Sequence, residues 1–596
     1  MVVCGYIGKI SIKNIDHEKL SLANSSMICR GPDNTSKFNY RQENYNFSFI
    51  FNRLKIIDLS DNANQPMSSN DHSATVMFNG EIYNHLELRN ELIKKGVKFF
   101  TKNSDTEVVL NGIKFFGKSF VDKLRGQFSI CYFDHNLNKV LLISDRLNQK
   151  PLYYTFENGT FSFSSNLKSL LKAIEHFSLE DKYIQEYLMY GIVSSPNTIF
   201  KNISKMSPAQ VVEVDLLGSQ FKVSKNIYWR PESFLDDKQF IEDEFFELFN
   251  EAVNLRKIAD VPVANFLSGG IDSTSIIKNI ADKNEQVNSF SVVFDEKKYN
   301  EQKWSREVAK KYETNHFEIN ASKKIGMFQV NEALQSLDEP YSDPSVVPSY
   351  MVSNEVSKYY KVAISGDGGD ELLGGYERTK ISLKNRGEIS NLVSKIYNFY
   401  PGFLGTGNYF LTKSNDIDLL YRSFFKDEKF FRLLNLDKIN NDEIINIDTS
   451  IDLYKAITLQ DYKYYLPEMM MFKIDRTSMF SSVEVRSPFV DHKLVEYILS
   501  TKLDRKMQKI NKNVLKNYLL EDFNEEFVNR KKRGFVFDLE SWVFSNIKYI
   551  ESVLRDGIYF SNIPKTLIPM LSIYKSRINA NRIWRLFVLE QYLKSV

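Results

Sequence analysis

The spacing of hydrophobic residues divides the chain into a β-rich first part and an alternating second part. Short runs rich in Phe, Ile, Val and Tyr, separated by Asn, Asp and Gly turns, predict strands. These runs lie at residues 46–57, 74–78, 128–133, 140–144 and 160–164, with helix-like stretches at 84–95 and 106–116. The pattern predicts an α+β unit with mostly antiparallel strands over roughly the first 210 residues.

From residue 238 the pattern changes to strands that alternate with helices. Residues 238–257 carry apolar side chains at helical spacing, and a buried strand is expected at 261–267. A helix from about Thr274 follows, and then strand 288–294, helix 301–312, strand 314–319 and strand 361–365. Such alternation predicts an α/β unit, a parallel sheet with helices on both faces. The last ~150 residues predict a helical part packed on that sheet.

Composition narrows the class of protein. The 596 residues are 43% hydrophobic and 26% charged, and 78 Lys+Arg against 75 Asp+Glu give a net charge of +3. No strong basic field therefore favours nucleic acid or a membrane surface. Three cysteines are too few for a disulfide framework, and no apolar run approaches the ~18 residues of a membrane span. We expect a cytoplasmic protein of at least two domains, at residues 1–215 and 235–596, and a homodimer stays open.

A glycine-rich turn follows the strand expected at 261–267. It reads Leu267-Ser268-Gly269-Gly270-Ile271-Asp272-Ser273-Thr274 and opens a helix. The glycines let a ligand approach the backbone, the hydroxyls donate hydrogen bonds, and a helix N-terminus favours anions, so the turn suits pyrophosphate or another phosphate. Asp272 would repel such an anion unless a divalent cation bridges them, and we infer Mg²⁺. Taken alone, the segment could equally be a plain strand-to-helix turn.

A second loop supports the ligand-binding interpretation. The strand at 361–365 runs into Gly366-Asp367-Gly368-Gly369-Asp370-Glu371. Ligands of open parallel sheets bind beyond the carboxyl ends of the strands, so three acids at such an end suit a second metal-binding arm. We therefore expect the turn near 270 and the loop near 370 to share one cleft.

With these loops identified, the chain resembles the glutamine-hydrolysing asparagine synthetases, in which a class II glutamine amidotransferase is fused to an ATP-pyrophosphatase-type synthetase. The synthetase motifs are SGGIDST (268–274), DEPYSDPS (338–345), SGDGGDELLGGY (365–376), KIDRTSM (473–479), EVRSPFVDH (484–492) and NRKKRGF (529–535). The glutaminase motifs are CGYIG (4–8), RGPD (30–33), NRLKIIDLS (52–60), NGEIYN (79–84), SDTE (104–107) and KPLYY (150–154). They occur in the family's order over nearly the whole chain.

The resemblance implies two coupled reactions. An N-terminal-nucleophile glutaminase, a sandwich of two β-sheets between helices, would release ammonia that passes inside the protein, away from water. A parallel-sheet ATP-pyrophosphatase domain, adenine nucleotide α-hydrolase-like, would use ATP and Mg²⁺ to adenylate a carboxylate, which ammonia then converts to an amide. Aspartate is the leading acceptor. A sugar carboxylate, a synthetase that uses free ammonia only, and a non-catalytic scaffold stay open as alternatives. The motif at 338–345 is a candidate acceptor strip.

The resemblance also assigns residues to roles. The glutaminase set is the nucleophile Cys4, the oxyanion-hole residues Asn79 and Gly80, and the glutamine-binding residues Arg53, Glu81 and Asp105. The ATP-binding set is Leu267, Ser268, Gly269, Gly270, Asp272, Ser273, Ser365 and Gly366. Asp272 and Asp370 are the implied metal ligands, and Asp367 and Lys532 the implied catalytic residues, with Lys531 the alternative if the register is off by one.

The chain departs from the family at three places. Met-Val-Val precedes Cys4 where the family has Met alone, so Cys4 would carry an amide nitrogen, which cannot act as a base. Translation from Val3, removal of a short leader and an inactive glutaminase are three explanations, of which we favour the first. Asn148 stands at a glycine position and is expected in the left-handed conformation. Cys29, where histidine is common, is expected to be a packed thiol.

Overall fold

Two antiparallel sheets face each other in the first part of the chain. The computed structural model describes residues 4–42, 44–217, 220–293, 301–320, 325–384, 396–413, 416–436, 444–502, 512–530, 537–559 and 564–596. The strands of this part are β1 (Gly5–Ser11), β2 (Asn34–Gln42), β3 (Tyr45–Arg53), β4 (Met67–Ser68), β5 (Ala74–Ile82), β6 (Gly126–Asp134), β7 (Lys139–Ser144), β8 (Tyr153–Glu157), β9 (Thr160–Ser164), β10 (Ile203–Lys205), β11 (Gln210–Leu217) and β12 (Gln220–Ile227). Their order is β10-β8-β9-β1-β3-β2 in one sheet and β12-β11-β7-β6-β5-β4 in the other. Phe47 of β3 stacks on Phe133 of β6 with ring centroids 4.5 Å apart, so the two inner faces share one core.

Helices cover the outer faces of both sheets. They are His17–Ser25, His85–Lys94, Asp105–Phe116, Leu167–Ala173 and Asp181–Tyr190, with short 3₁₀ turns at Ile28–Arg30, Asp61–Ala63 and Gly117–Lys123. Val108 and Val109 pack with Val76 and Phe78 on one side of the sandwich, and Ala173 packs in a cluster with Ile7 and Ile50 on the other. The expected helix–sheet–sheet–helix sandwich is confirmed.

The second part is built on a parallel sheet with a reversal of strand order in its middle. Its strands are β13 (Lys238–Gln239), β14 (Val263–Phe266), β15 (Asn288–Val293), β16 (Asn315–Asn320), β17 (Val362–Ile364), β18 (Glu484–Arg486) and β19 (Thr501–Lys502). The main sheet has the order β16-β15-β14-β17-β18 with all pairs parallel, and β13 pairs with β19. The chain first adds strands on one side of β14 and then on the other. A crevice therefore opens at the carboxyl ends of β14 and β17, where open α/β sheets bind ligands.

Helices lie on both faces of this sheet and continue to the chain end. They are Glu242–Arg256, Ile271–Ala281, Gln302–Lys311, Met327–Gln335, Val346–Val356, Gly369–Leu373, Glu377–Leu383, Asn408–Leu411, Ile417–Arg422, Glu428–Leu433, Leu453–Gln460, Phe472–Phe480, His492–Ser500, Asn513–Leu520, Glu525–Asn529, Leu539–Ser545, Ile547–Arg555, Leu567–Ile573 and Arg577–Leu593, with 3₁₀ turns at Pro231–Phe234, Gly402–Leu404 and Pro488–Val490. A π-helical stretch, Asp461–Met471, joins two of them into one long helix. Within the described ranges, no helix has the length and apolar character needed to cross a membrane. The expected α/β unit with a helical C-terminal part is confirmed.

Two sequence-based element boundaries are corrected. Residues 238–257 were expected to be one helix, but the helix begins at Glu242 and Lys238–Gln239 forms strand β13. Glu242, Asp243 and Glu244 fill the first helical turn, where carboxylates interact favourably with the helix dipole. The helix after the glycine turn begins at Ile271 rather than near Thr274.

Buried ion pairs join the two parts of the chain. Arg30 donates hydrogen bonds of 3.0 and 3.2 Å to the two carboxylate oxygens of Asp475, and both side chains are at most 5% exposed. Arg486 on β18 donates to Glu81 on β5 at 2.8 Å. Bidentate and charge-assisted bonds of this kind have strict geometry, so they fix the relative position of the two parts.

Asp475→Asn should lower the urea midpoint of unfolding sharply, because it leaves the buried Arg30 guanidinium without its carboxylate partner. Breaking a buried pair costs about 3–5 kcal/mol. Glu526→Gln is the matched control, since the Glu526–Lys303 pair is 69% exposed on both sides and its loss should change stability by about 0.5 kcal/mol or less. Unfolding is followed by tryptophan fluorescence. Equal urea midpoints for the two variants would contradict a stabilising role of the Arg30–Asp475 pair.

Candidate active sites

One cavity gathers the side chains that the sequence assigns to glutamine hydrolysis. Cys4, Arg53, Gly80, Glu81 and Asp105 all line it. Cys4 directly precedes β1 and Arg53 ends β3, and these two strands are paired so that Gly5 faces Asn52. Glu81 comes from β5 of the other sheet, and Asp105 begins a helix packed on that sheet. The cavity therefore lies at one end of the sandwich, between the two sheets.

The Cys4 thiol is buried and protonated in its resting environment. Its Sγ accepts a hydrogen bond from the Leu54 N–H at 3.3 Å. Burial raises the pKa of the Cys4 thiol to about 12. Because the thiolate is the nucleophilic form, attack by this sulfur requires a base that removes its proton at the site.

Asn79 and Gly80 have the properties expected of an oxyanion hole. The Asn79 side chain is fully buried, and neither its Nδ2 nor its Oδ1 has a hydrogen-bond partner in the described part of the chain. Gly80 has φ +137°, and a Cβ there would lie 1.9 Å from the Gln127 carbonyl oxygen, so no other residue fits. Gly80 lines the cavity, whereas Asn79, its neighbour on β5, is not among the lining residues. Buried amides are normally paired, so the unpaired Asn79 amide is unusual, and its oxyanion role stays a prediction.

Arg53, Glu81 and Asp105 bring complementary charges to the same cavity. Arg53 donates to the Ser60 carbonyl at 2.7 Å and to Asn64 Oδ1 at 2.9 Å, which fixes its guanidinium. Burial raises the pKa of the Glu81 and Asp105 carboxyls, and the nearby charge of Asp105 raises that of Glu81 further. A cation on one side and two carboxyls on the other suit a zwitterionic amino acid.

The glycine turn and the acidic loop share one cleft, as the sequence predicted. The turn follows β14: Leu267 is buried, Gly269 has φ +74°, and the Ser268 hydroxyl accepts from the Gly270 N–H at 3.1 Å. The acidic loop follows β17, and a Cβ on Gly369 would lie 2.7 Å from Asp272 Oδ1. The close approach of the two segments depends on the absence of a side chain at this point.

The remaining predicted residues surround this cleft. Ser273 Oγ lies 3.2 Å from Ser268 Oγ, and the Ser365 hydroxyl is buried with no partner in the described structure. Gly366 would bring a Cβ to 2.9 Å from Asp272 Cβ, and Asp367 directly follows it. These atoms line the carboxyl edge of β14 and β17, where the sequence placed them.

Lys532 and its alternative Lys531 lie outside the described residues. The last described residue of the same basic segment is Arg530, which donates to the Gly269 carbonyl and stacks 4.7 Å from the Trp304 ring. The first residue of this basic segment therefore contacts the glycine turn. The role of Lys532 stays a prediction.

Comparison with known proteins adds evidence that is independent of this geometry. Residues 244–565 match the family described as asparagine synthase, and residues 3–229 match the one described as glutamine amidotransferase domain. The chain belongs to the asparagine synthase family. It is a glutamine-hydrolysing, asparagine-synthetase-type amidotransferase and ligase.

Curated relatives match most of this chain. "Asparagine synthetase [glutamine-hydrolyzing] 1" of Bacillus subtilis (strain 168) is 29% identical over 93% of this chain and 90% of its own. "Asparagine synthetase [glutamine-hydrolyzing] 3" of the same organism is 27% identical over 89% and 87%. Among solved structures, "Structure of the allosteric regulatory enzyme of purine biosynthesis" overlaps 44% of this chain and 60% of its own at 13% identity, with a TM-score of 0.28. That overlap is too weak to add to the assignment.

Lys512 is a residue of the synthetase cleft that the sequence motifs did not reveal. Its Nζ lies 2.5 Å from Asp272 Oδ1 and 2.5 Å from Asp370 Oδ1. The residue has φ +57°, a left-handed conformation that is unusual for lysine. It belongs to none of the motifs, and no spacing rule links it to the acids. One cation thus lies between the two carboxylates that the sequence proposed as metal ligands.

The donor set at this position suits Mg²⁺. Two carboxylates that already converge on one positive charge can accept a divalent ion in its place. Within the described ranges, no group of three or more His, Cys, Asp or Glu side chains stands ready to hold a metal ion. Mg²⁺ would therefore take further ligands from phosphate oxygens and water, as it commonly does in nucleotide sites.

Asn79→Leu should slow glutamine hydrolysis by about 10²–10³-fold. Leucine has nearly the shape of asparagine but lacks the amide that is expected to donate to the oxyanion. The melting temperature should stay the same or rise, since the lost amide makes no hydrogen bond to the protein. Gln65→Met is the contrast: the Gln65 amide bonds Phe78 and Thr106, so its loss should lower the melting temperature. Stability loss in Asn79→Leu equal to that of Gln65→Met would assign Asn79 a structural role.

Lys512→Met should make the melting temperature more responsive to Mg²⁺. Without the ammonium, Asp272 and Asp370 repel each other, and a divalent ion relieves that repulsion. Differential scanning fluorimetry with and without MgCl₂, in the absence of nucleotide, should give a larger upward shift for the variant than for wild type. Equal shifts would show that Mg²⁺ does not bind between the two carboxylates.

Proposed function

We propose that this enzyme hydrolyses glutamine and uses the ammonia to amidate an adenylated carboxylate, with aspartate as acceptor and asparagine, AMP and pyrophosphate as products. The observation that carries the proposal is the cleft in which Asp272 and Asp370 converge on one cation beside the glycine turn. A carboxylate needs a leaving group before ammonia can displace it, and adenylation supplies one.

In the glutaminase cavity, each side chain takes the role that its chemistry fits. The Cys4 sulfur attacks the glutamine amide carbon as its proton passes to the Cys4 α-amine, which processing of the residues before Cys4 would expose, and donors at Asn79 and Gly80 stabilise the negative oxygen that forms. The C–N bond then breaks, the nitrogen takes up the proton and leaves as ammonia, and water releases glutamate from the thioester. Arg53 binds the α-carboxylate through its fork of donors. Glu81 and Asp105 bind the α-ammonium.

In the synthetase cleft, the backbone and hydroxyl donors bind the nucleotide. Leu267, Ser268, Gly269, Gly270 and Ser273 surround the pyrophosphate, and Ser365 and Gly366 contact the adenosine. Asp272 and Asp370 would hold Mg²⁺, which would supply positive charge to balance the phosphates. Asp367 and Lys532 act at the reacting carboxylate and the leaving pyrophosphate.

The chain is proposed to divide into a glutaminase unit at 1–215 and a synthetase unit at 235–596. The β11–β12 hairpin, which continues the glutaminase sheet to Ile227, leads from one to the other.

A screen of carboxylic acids for ATP-dependent pyrophosphate release tests the proposal. With an ammonium salt as nitrogen source, aspartate should release pyrophosphate and yield asparagine. Cys4→Ala should keep this reaction and lose the one supported by glutamine, and Asp272→Ala should lose both. Pyrophosphate release with a uronic acid but not with aspartate would show that the acceptor is a sugar acid. No release with any acid from the folded protein would reject the proposal.

A further inference from the structure

A buried lysine close to the synthetase cleft has no acidic partner. Lys473 is 7% exposed, and its Nζ lies 3.1 Å from Ser345 Oγ and 3.8 Å from Met470 Sδ. Among the described residues, no carboxylate oxygen lies within 4.0 Å of it. A buried ammonium without a counter-ion destabilises the protein. The position of Lys473 is therefore not explained by its contribution to folding.

The other buried lysines of the described ranges show how unusual this is. Five of them pair with Asp or Glu: Lys150, Lys205, Lys278, Lys455 and Lys512. Lys429 instead donates to the carbonyl oxygens of Tyr397 and Asn398, at 2.6 and 3.0 Å. Lys473 has a serine hydroxyl and a thioether, neither of which balances its charge. A partner from outside the chain would supply that balance.

Lys473 lies near the edge of the sheet where the nucleotide loops begin. The helix Val346–Val356 packs on the sheet through Val352 and Val356 and leads into β17, so its N-terminal end, where Ser345 contacts Lys473, lies on the side of the sheet where the parallel strands end. Ser345 begins the helix Val346–Val356, whose N-terminal end adds partial positive charge. The surroundings of the Lys473 ammonium therefore favour an anion.

Polar aromatic side chains connect this position to the acidic loop. Tyr341 Oη lies 3.4 Å from Asp343 Oδ2, and Asp343 accepts from the Ser345 N–H at 2.8 Å. Tyr465 lies on the same long helix as Lys473, and its ring is 5.4 Å from that of Tyr376, whose Oη donates to Glu371 Oε1 at 2.7 Å. Glu371 adjoins Asp370, so the path from Lys473 ends at the proposed metal ligand.

Internal ion pairs exclude two residues of the candidate acceptor strip at 338–345 from binding the acceptor. Asp338 accepts from Arg476 at 2.9 Å, and Glu339 lies 3.2 Å from Lys205. All four side chains are buried, so these two acids are committed to internal ion pairs. Further along the strip, Asp343 is half-buried and, within the described ranges, forms no ion pair, and the hydroxyl of Ser345 contacts Lys473.

We propose that Lys473 and Ser345 bind an anionic group of the acceptor other than the carboxylate that is adenylated. The proposal rests on the proposed function, because it concerns the acceptor of that reaction. In aspartate the group is the α-carboxylate, and in a sugar acid it would be a phosphate or a second carboxylate. Aspartate carries an α-ammonium next to its α-carboxylate. The half-buried Asp343 carboxylate, close to Ser345, has the charge to bind that ammonium, which favours aspartate over a sugar acid as the acceptor.

Lys473→Met tests the proposal through two measurements, the KM for aspartate and the melting temperature. The variant should raise the KM for aspartate about 100-fold in the ammonium-dependent assay, with the KM for ATP and the rate of glutamine hydrolysis unchanged. Its melting temperature should be equal to or above that of wild type, since an uncompensated buried charge is removed. Lys473→Gln, which keeps a polar contact to Ser345, should give the same KM effect. Lys429→Met is the control buried lysine and should leave the KM for aspartate unchanged.

β-Alanine, which is aspartate without the α-carboxylate, completes the test. Wild type should use it poorly, and Lys473→Met should use it no worse than wild type does. An unchanged KM for aspartate in both variants, or an equal loss with aspartate and β-alanine, would overturn the role of Lys473. If wild type works with a phosphorylated sugar acid instead, the KM for that acid should rise in the variant. If no acid releases pyrophosphate from wild type, the proposed function itself fails and this proposal fails with it.

Discussion

The guanidinium of Arg486 holds the glutamine cavity and the nucleotide cleft in one rigid frame. It is fully buried, and it donates to Glu81 and Glu484 at 2.8 Å each. Its remaining nitrogen donates to the backbone carbonyls of Arg256 and Ile258, and its own carbonyl accepts from the Ser365 N–H at 2.9 Å. A buried guanidinium that lost any of these partners would destabilise the protein strongly. The Glu81 carboxyl and Ser365, which directly precedes the acidic loop, therefore keep a fixed relative position.

Within that frame, the synthetase cleft is assembled by close backbone approach and by charge. The strand-order reversal at β14 and β17 opens the crevice, and Gly366 and Gly369 let the acidic loop come against Asp272. Lys512 then compensates the carboxylates that this approach brings together. The proposed nucleotide donors and metal ligands are thus held in place by contacts within the protein, and such preorganisation is a main source of electrostatic stabilisation in enzymes.

Sequence reasoning located the loops better than the contacts between them. The turn near 270 and the loop near 370 could be placed because each follows a buried strand, and Asn148 has φ +50°, in the left-handed region expected when it replaces glycine. Strand β18 was not predicted because three residues carry too little periodicity to identify a strand. Lys512 and Arg486 were not recognised as site residues because the carboxylates that bring them to the sites, Asp272 and Asp370 for Lys512 and Glu81 for Arg486, are far away in sequence. Pattern analysis detects local order, whereas charge pairing across hundreds of residues depends on the completed fold.

The buried pairs between the two parts also limit how such an enzyme can change by recombination. Arg30 and Glu81 on one side meet Asp475 and Arg486 on the other, and all four side chains are at most 5% exposed. A glutaminase half fused to the synthetase half of another lineage would bury unpaired charges where these partners are missing. Exchange of whole domains is therefore disfavoured unless these partners travel together, and the two catalytic halves are expected to evolve as one unit.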